Sequence, residues 1–289
     1  MINIKDIQDR LKNNPEPKEV TEIRSNIIKS FKDLRFEEGP HKYFRKIKKN
    51  EEIELPSVSS IIHKFEPYKD WDLQAEKSAL SEGITVEEKK RMWHEKNLMG
   101  TNSGSVVHLY AENFINGILL NNPSYIDDVM KMQYEDGYLI PASPKQRAVA
   151  NVLEEITKIP NLYPVMAEAK VYTGINDTLH LNQNYAGTFD MLFAFKRDDK
   201  YVLCIYDWKT NENIEKQYCR DNNITLTKPF NDMINEPKSV YTLQLSCYEM
   251  AIRQLGYDVV DRKLMWVKDD GTYEKISLKS EINKLSKIL

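Results

Sequence analysis

Tyr201-Val202-Leu203-Cys204-Ile205-Tyr206-Asp207-Trp208-Lys209 is an apolar run that turns charged at its end. Such a run reads as a strand buried on both faces, with charge admitted only where the strand leaves the core. Side chains alternate along a strand, so Asp207 and Lys209 project to one side and Trp208 to the other. That geometry lets a carboxylate hold a cation while the ammonium meets a phosphate or a water. By itself the triplet reads first as a salt-bridged pair, because D-x-K or E-x-K recurs at Asp198-Lys200, Asp261-Lys263 and Glu168-Lys170.

Just upstream, the short polar link Lys196 to Lys200 predicts a hairpin to a second strand, Tyr185 to Phe195. Asp190 lies within it among Phe189, Met191, Phe193 and Phe195, where a charge is costly unless paired or bound to metal. Gly187 on the same strand permits close approach of a ligand or neighbouring backbone. A third strand is expected over Val165 to Tyr172. After Lys209 the pattern predicts a helix from Pro237 to Leu255, ended by Gly256. A closing hairpin, Leu264 to Val267 and Tyr273 to Ile276 around Asp269-Asp270-Gly271, precedes a terminal helix. Helix, three strands, helix and strand in this order is an α/β pattern.

Toward the N-terminus, residues 1 to 35 read as polar and helical, with Ile4, Ile7 and Leu11 on one face. Lys42 to Arg45 and Ile53 to Leu55 read as short strands, and Ser57 as the cap of a helix lined by Val58, Ile61, Ile62 and Phe65. Trp71 to Met99 is charged and helical, with Trp71 and Trp93 as isolated large apolar groups. A separate helix is expected from Gly104 to about Leu119, with Val107, Tyr110, Phe114 and Ile118 inward and Asn121-Asn122-Pro123 as its stop. A loop-rich segment and a helix near Lys145 to Lys158 complete the chain.

The chain has 289 residues, 41% hydrophobic and 29% charged, which suits a soluble globular protein able to bury a sizeable core. No apolar run approaches the ~20 residues of a spanning helix, and the start has no basic segment followed by an apolar one, so a cytoplasmic protein without a membrane partner is expected. Cys204, Cys219 and Cys247 are scattered, which leaves too few thiols for a four-cysteine zinc or iron-sulfur site. A net charge of −3 gives no global attraction to nucleic acid, so any such contact must be local. The run Arg45-Lys46-Ile47-Lys48-Lys49 reads first as a solvated face. No phosphate loop of the GxxxxGK[ST] type is present, and ATP-driven activity is not expected.

The ordered set Gly104-Ser105-Val106-Val107-His108, Glu168, Gly187-Thr188-Phe189-Asp190, Asp207-Trp208-Lys209 and Gln244-Leu245-Ser246-Cys247-Tyr248 resembles the RecB-like branch of the PD-(D/E)XK nucleases. That branch shows GxxxH, E, GxxD, DxK and QxxxY in the same order, and the match covers roughly residues 100 to 255. Upstream, Phe36 to Phe44 and Leu55-Pro56-Ser57-Val58 resemble the leader of phage and mitochondrial single-domain exonucleases of this branch. The resemblance implies a restriction-endonuclease-like core, a mixed sheet flanked by helices over 100–289. Residues 1–99 would form an N-terminal extension of helices and short strands that arches over the active site.

Carried over residue by residue, the resemblance implies that Asp190, Asp207, the Trp208 carbonyl and His108 bind metal and that Lys209 is the catalytic lysine. It implies that Glu168 positions metal or water and that Gln244 and Tyr248 bind substrate or brace the site. On their own residues, His108 reads first as a half-buried helix histidine, Glu168 also as a surface carboxylate beside Lys170, and Gln244 with Tyr248 as a helix face packed on the sheet, a role that does not exclude the other. The ligand set suits Mg2+ or Mn2+, with neither ATP nor an iron-sulfur cluster, and a lysine so close to a cation is expected to have a lowered pKa. The expected activity is metal-dependent hydrolysis of DNA from its ends, with single strands preferred, in recombination, repair or replication and alongside proteins of those processes. Trp71, Trp93, Tyr68 and Tyr110 are candidates for base stacking. A structure-specific endonuclease, an inert DNA-binding or scaffold protein on the same fold, and RNA as substrate are the alternatives.

Overall fold

The computed structural model describes residues 2–125, 128, 134–135, 138–175 and 183–289. β1 (Ile2–Asn3) leads into α1 (Ile4–Asn13), which Pro15 and Pro17 separate from α2 (Lys18–Phe31). β2 (Leu34–Glu37), β3 (Lys42–Lys48) and β4 (Glu51–Leu55) form an antiparallel meander. The Ser57 hydroxyl then accepts the Ser60 N–H at 3.0 Å and starts α3 (Val58–His63), as its sequence predicts. α4 (Trp71–Glu82) ends on Gly83, whose φ of 69° is the left-handed cap that favours glycine.

α5 (Val86–Asn113) follows and continues as a π-helical turn over Phe114–Leu119. β5 (Tyr134–Glu135) and β6 (Tyr138–Leu139) join β1 in a small sheet. Next come α6 (Pro144–Ile156), β7 (Leu162–Tyr172), β8 (Ala186–Arg197), β9 (Lys200–Lys209) and the short α7 (Gln217–Asp221). The chain closes with α8 (Pro237–Arg253), β10 (Val259–Val267), β11 (Tyr273–Ser277) and α9 (Ile282–Leu285).

The main sheet runs β11-β10-β9-β8-β7, parallel only between β9 and β10, so the fold is α/β with a mixed five-stranded sheet. Alternation along β9 divides its side chains between two cores: Leu203 and Ile205 join α2, α3 and α8, whereas Cys204, Tyr206 and Trp208 join α1, α5 and α6. Helices therefore cover both faces, which is why β8 and β9 read as nearly continuous apolar runs.

Three expectations need correction. The helix expected from Gly104 begins at Val86, where Thr85 caps it, and runs unbroken through Gly100 and Gly104. Packing of Val107, Tyr110 and Ala111 in the core outweighs the modest cost of glycine in a helix interior. Leu34 and Arg35 belong to β2 rather than to a helix, because β3 offers them an antiparallel partner. Trp71 and Trp93 are not isolated: their rings meet edge to face, 6.1 Å between centroids.

The three cysteines are free and buried. Among the described residues, no helix is long and apolar enough to cross a membrane. The basic run on β3 is largely answered within the protein. Arg45 donates to the Gly174 carbonyl at 3.0 Å and stacks on Tyr172, and Lys48 pairs with Glu51.

Candidate active site

The hairpin of β8 and β9 brings Asp190 beside the end of β9, where the Trp208 N–H donates to Asp190 Oδ2 at 2.6 Å. On the other side of β8, the ladder pairs Ala167 with Met191 and Ala169 with Phe189, so Glu168 stands opposite Asp190. Glu168 has φ 49°, a left-handed backbone that a non-glycine residue rarely adopts. Residues flanking one position of a regular strand share a face. Here Ala169 and Phe189 belong to one core, whereas Ala167 and Met191 belong to the other, so both strands switch faces at Glu168 and Asp190. The switch turns both carboxylates toward α5.

α5 supplies His108 at that point. Its Nδ1 lies 3.3 Å from Asp190 Oδ1 and 3.5 Å from Glu168 Oε1. One ligating atom from each of His108, Glu168 and Asp190 falls within 4.8 Å of the other two. Asp207 stands outside that trio, 99% buried, with its Oδ2 2.5 Å from Lys209 Nζ. The other face of the Lys209 ammonium lies 4.5 Å from the centre of the Tyr241 ring. Tyr241 is held in turn by Asn211, whose Oδ1 accepts its hydroxyl at 2.5 Å.

The electrostatics follow from burial and like charge. Burial pulls the His108 imidazole down, but Asp190 and Glu168 outweigh it and lift the ring to about 10. Burial pushes Glu168 up to about 7 against the opposing pull of His108, with Asp190 adding to the rise. Asp207 is pushed up to about 6 by burial and by Asp190. Asp190 itself is held low: burial opposes this, but His108, Lys209 and the Trp208 N–H prevail. Asp207 and Asp190 outweigh the burial of Lys209 and hold it above the ordinary lysine range.

The residues fit a hard divalent cation. Two carboxylates face each other across adjacent strands, an arrangement that costs free energy without a neighbouring positive charge. The donor set of carboxylate oxygens and one imidazole suits Mg2+ and, better, Mn2+. The structure thus brings Glu168 beside His108 and Asp190, with Asp207 next to them on the Lys209 ammonium.

Gln244 and Tyr248 lie one turn apart on α8, where the Gln244 amide donates to the Tyr248 hydroxyl at 3.0 Å. With Glu168, Gly187 and Thr188 they line a cavity of about 590 Å³. At Gly187 two side chains approach closely. A Cβ there would sit 2.7 Å from Tyr248 Cε1 and 2.9 Å from Val58 Cγ2. The same cavity is edged by Tyr43, whose hydroxyl is 3.0 Å from Thr188 Oγ1.

Tyr43, Tyr241 and Glu112, which lines the same cavity, are not among the site residues the sequence points to. Spacing offered a signal for two of them, because Tyr241 precedes Gln244 by three residues and Glu112 follows His108 by four, each pair sharing a helix face. Of the stacking candidates, Tyr110 is buried in the core, whereas Tyr68 and Trp71 are exposed.

Comparison with protein-family models finds no match, and comparison with curated proteins finds none either.

Proposed function

We propose that the protein is a divalent-metal-dependent DNA exonuclease with a PD-(D/E)XK core of the RecB-like kind. One observation carries the reading. His108, Glu168 and Asp190 converge within 4.8 Å at the sheet edge where the Asp207-Lys209 pair also ends. The α/β fold with a mixed sheet supports it, since Glu168, Asp190 and Asp207 lie on three neighbouring strands and His108 on a helix against them.

Each residue then has a role its surroundings can support. His108 and Asp190 hold the cation, and Glu168 completes the set. Bound there, Mg2+ or Mn2+ supplies Lewis-acid activation of water and charge neutralisation at the phosphate. Lys209, fixed between Asp207 and the Tyr241 ring, presents a point cation to the scissile phosphate. A carboxylate oxygen of Glu168 not engaged by the cation would be placed to orient the attacking water. Gln244 and Tyr248 offer an amide and a hydroxyl to the sugar-phosphate chain in the adjoining cavity.

Attack from ends and preference for single strands come from the resemblance of the chain to single-domain exonucleases. Their test is digestion of 5′- and 3′-labelled single-stranded, duplex and covalently circular DNA. Loss of linear strands with circles spared is expected; cleavage of circles would make the protein an endonuclease.

A further inference from the structure

On the α5 side of the metal-binding trio lies a second, larger cavity of about 1330 Å³, lined by Lys69, Trp71 and Trp93 and, nearer the trio, by His108 and Lys209. Trp71 is 61% exposed although its ring is braced edge-on by Trp93. A tryptophan held rigid yet left in solvent is a surface prepared for an aromatic partner.

The cations of this cavity are not equivalent. Lys96 is paired with Glu212 at 2.8 Å, and Lys145 with Asp269 at 2.7 Å. Lys69 has no carboxylate within ion-pair distance among the described residues; its ammonium lies 3.9 Å from the centre of the Trp71 ring. Burial and the neighbouring Lys216 ammonium hold it below the ordinary lysine range, a penalty that an incoming anion would relieve.

We infer that Lys69, Trp71 and Trp93 form a binding subsite for single-stranded nucleic acid, with an unpaired base stacked on the Trp71 indole and the neighbouring phosphate on Lys69. A duplex covers its base faces, so this pairing of ring and cation selects single strands. The subsite rests on the proposed nuclease reading for its purpose: Lys209 and His108 line the same cavity, so a strand seated on Trp71 leads to the metal-binding group.

The test is binding without cleavage. Fluorescence anisotropy of a labelled oligothymidylate, an oligouridylate and a duplex is measured in EDTA with the full chain and with Trp71→Ala, Trp71→Phe and Lys69→Ala. Trp71→Ala is expected to weaken single-strand binding about tenfold, Trp71→Phe to recover most of it, and duplex to bind less tightly. The two single-stranded arms tell DNA from RNA. Equal affinity of the wild type and Trp71→Ala, or no binding of either single strand, overturns the proposal. Cleavage with Mn2+ is followed in parallel: if it persists while Trp71→Ala binds normally, only the subsite fails; if binding responds and cleavage never occurs, the nuclease reading fails instead.

Discussion

Glu168 stands opposite Asp190 on the antiparallel strands β7 and β8, and its backbone adopts the left-handed region at φ 49°. Two carboxylates on one face, directly across a strand pair, repel each other. The backbone conformation costs about 1–3 kcal/mol more. Strain and repulsion at the same point are a burden on folding; the His108 imidazolium, within 3.5 Å of both carboxylates, offsets part of the repulsion, and a bound cation would take over that role.

Stability without metal should therefore fall as pH rises. The folded-state pKa of His108, about 10, exceeds its ordinary 6.5, so its contribution is complete below 6.5 and is lost as pH climbs through about 10. Glu168 is raised from 4.5 to about 7, so the fold favours its protonated form and is penalised as pH passes through about 7. Both groups give the folded state more bound protons than the unfolded state, which makes the slope negative between about pH 5 and 9. Urea midpoints in EDTA should decline over that range, Glu168→Gln should flatten the decline, and Mn2+ should restore stability at the alkaline end. A midpoint that rises with pH would contradict the account.

Gly187 is a contact between three parts of the fold. Gly187→Ala would drive its Cβ to 2.7 Å from Tyr248 Cε1 and 2.9 Å from Val58 Cγ2, so one of the two must shift. Overpacking of this kind costs about 1–3 kcal/mol. The thermal midpoint should drop accordingly, and cleavage should weaken as Tyr248 is displaced from the cavity wall. An unchanged midpoint would show that the packing here is looser than the distances indicate.

A buried carboxylate that lines neither cavity provides the control. Glu249, 1% exposed, accepts from Arg253 at 2.8 Å, Arg262 at 3.0 Å and the Ser280 hydroxyl at 2.6 Å. Glu249→Ala strands the Arg262 guanidinium and should cost about 3–5 kcal/mol, with activity per folded molecule retained well below the melting point. Loss of cleavage in a variant shown to be folded would mean that this network reaches the site.

Much of this arrangement was legible because strands announce themselves by what they bury. Tyr201 to Tyr206 and the polar link at Asp198-Asp199 predict β8 and β9 to within two residues at each end, and the placement of Asp207 and Lys209 on one side follows from alternation alone. The continuity of α5 was hidden, since Gly104 reads as a helix start and tertiary packing carries the helix through it and through Gly100. The face switch at Glu168 was hidden too. A left-handed residue inside a strand has no compositional mark when it is a glutamate, and without the switch Glu168 would read as a surface carboxylate beside Lys170. Tyr241 escaped notice because a tyrosine on an apolar helix face looks like packing until the lysine it covers is in place.

The most direct test is cleavage of end-labelled linear single-stranded DNA with Mg2+, Mn2+ or EDTA, comparing the wild type with Asp190→Asn, Lys209→Ala and Asp207→Asn. Metal-dependent cleavage is predicted, abolished by EDTA, with Lys209→Ala lowering the rate about 10²–10³-fold and Asp190→Asn also losing Mn2+ binding. Cleavage that continues in EDTA, or that Lys209→Ala leaves at the wild-type rate, would contradict the assignment of this site.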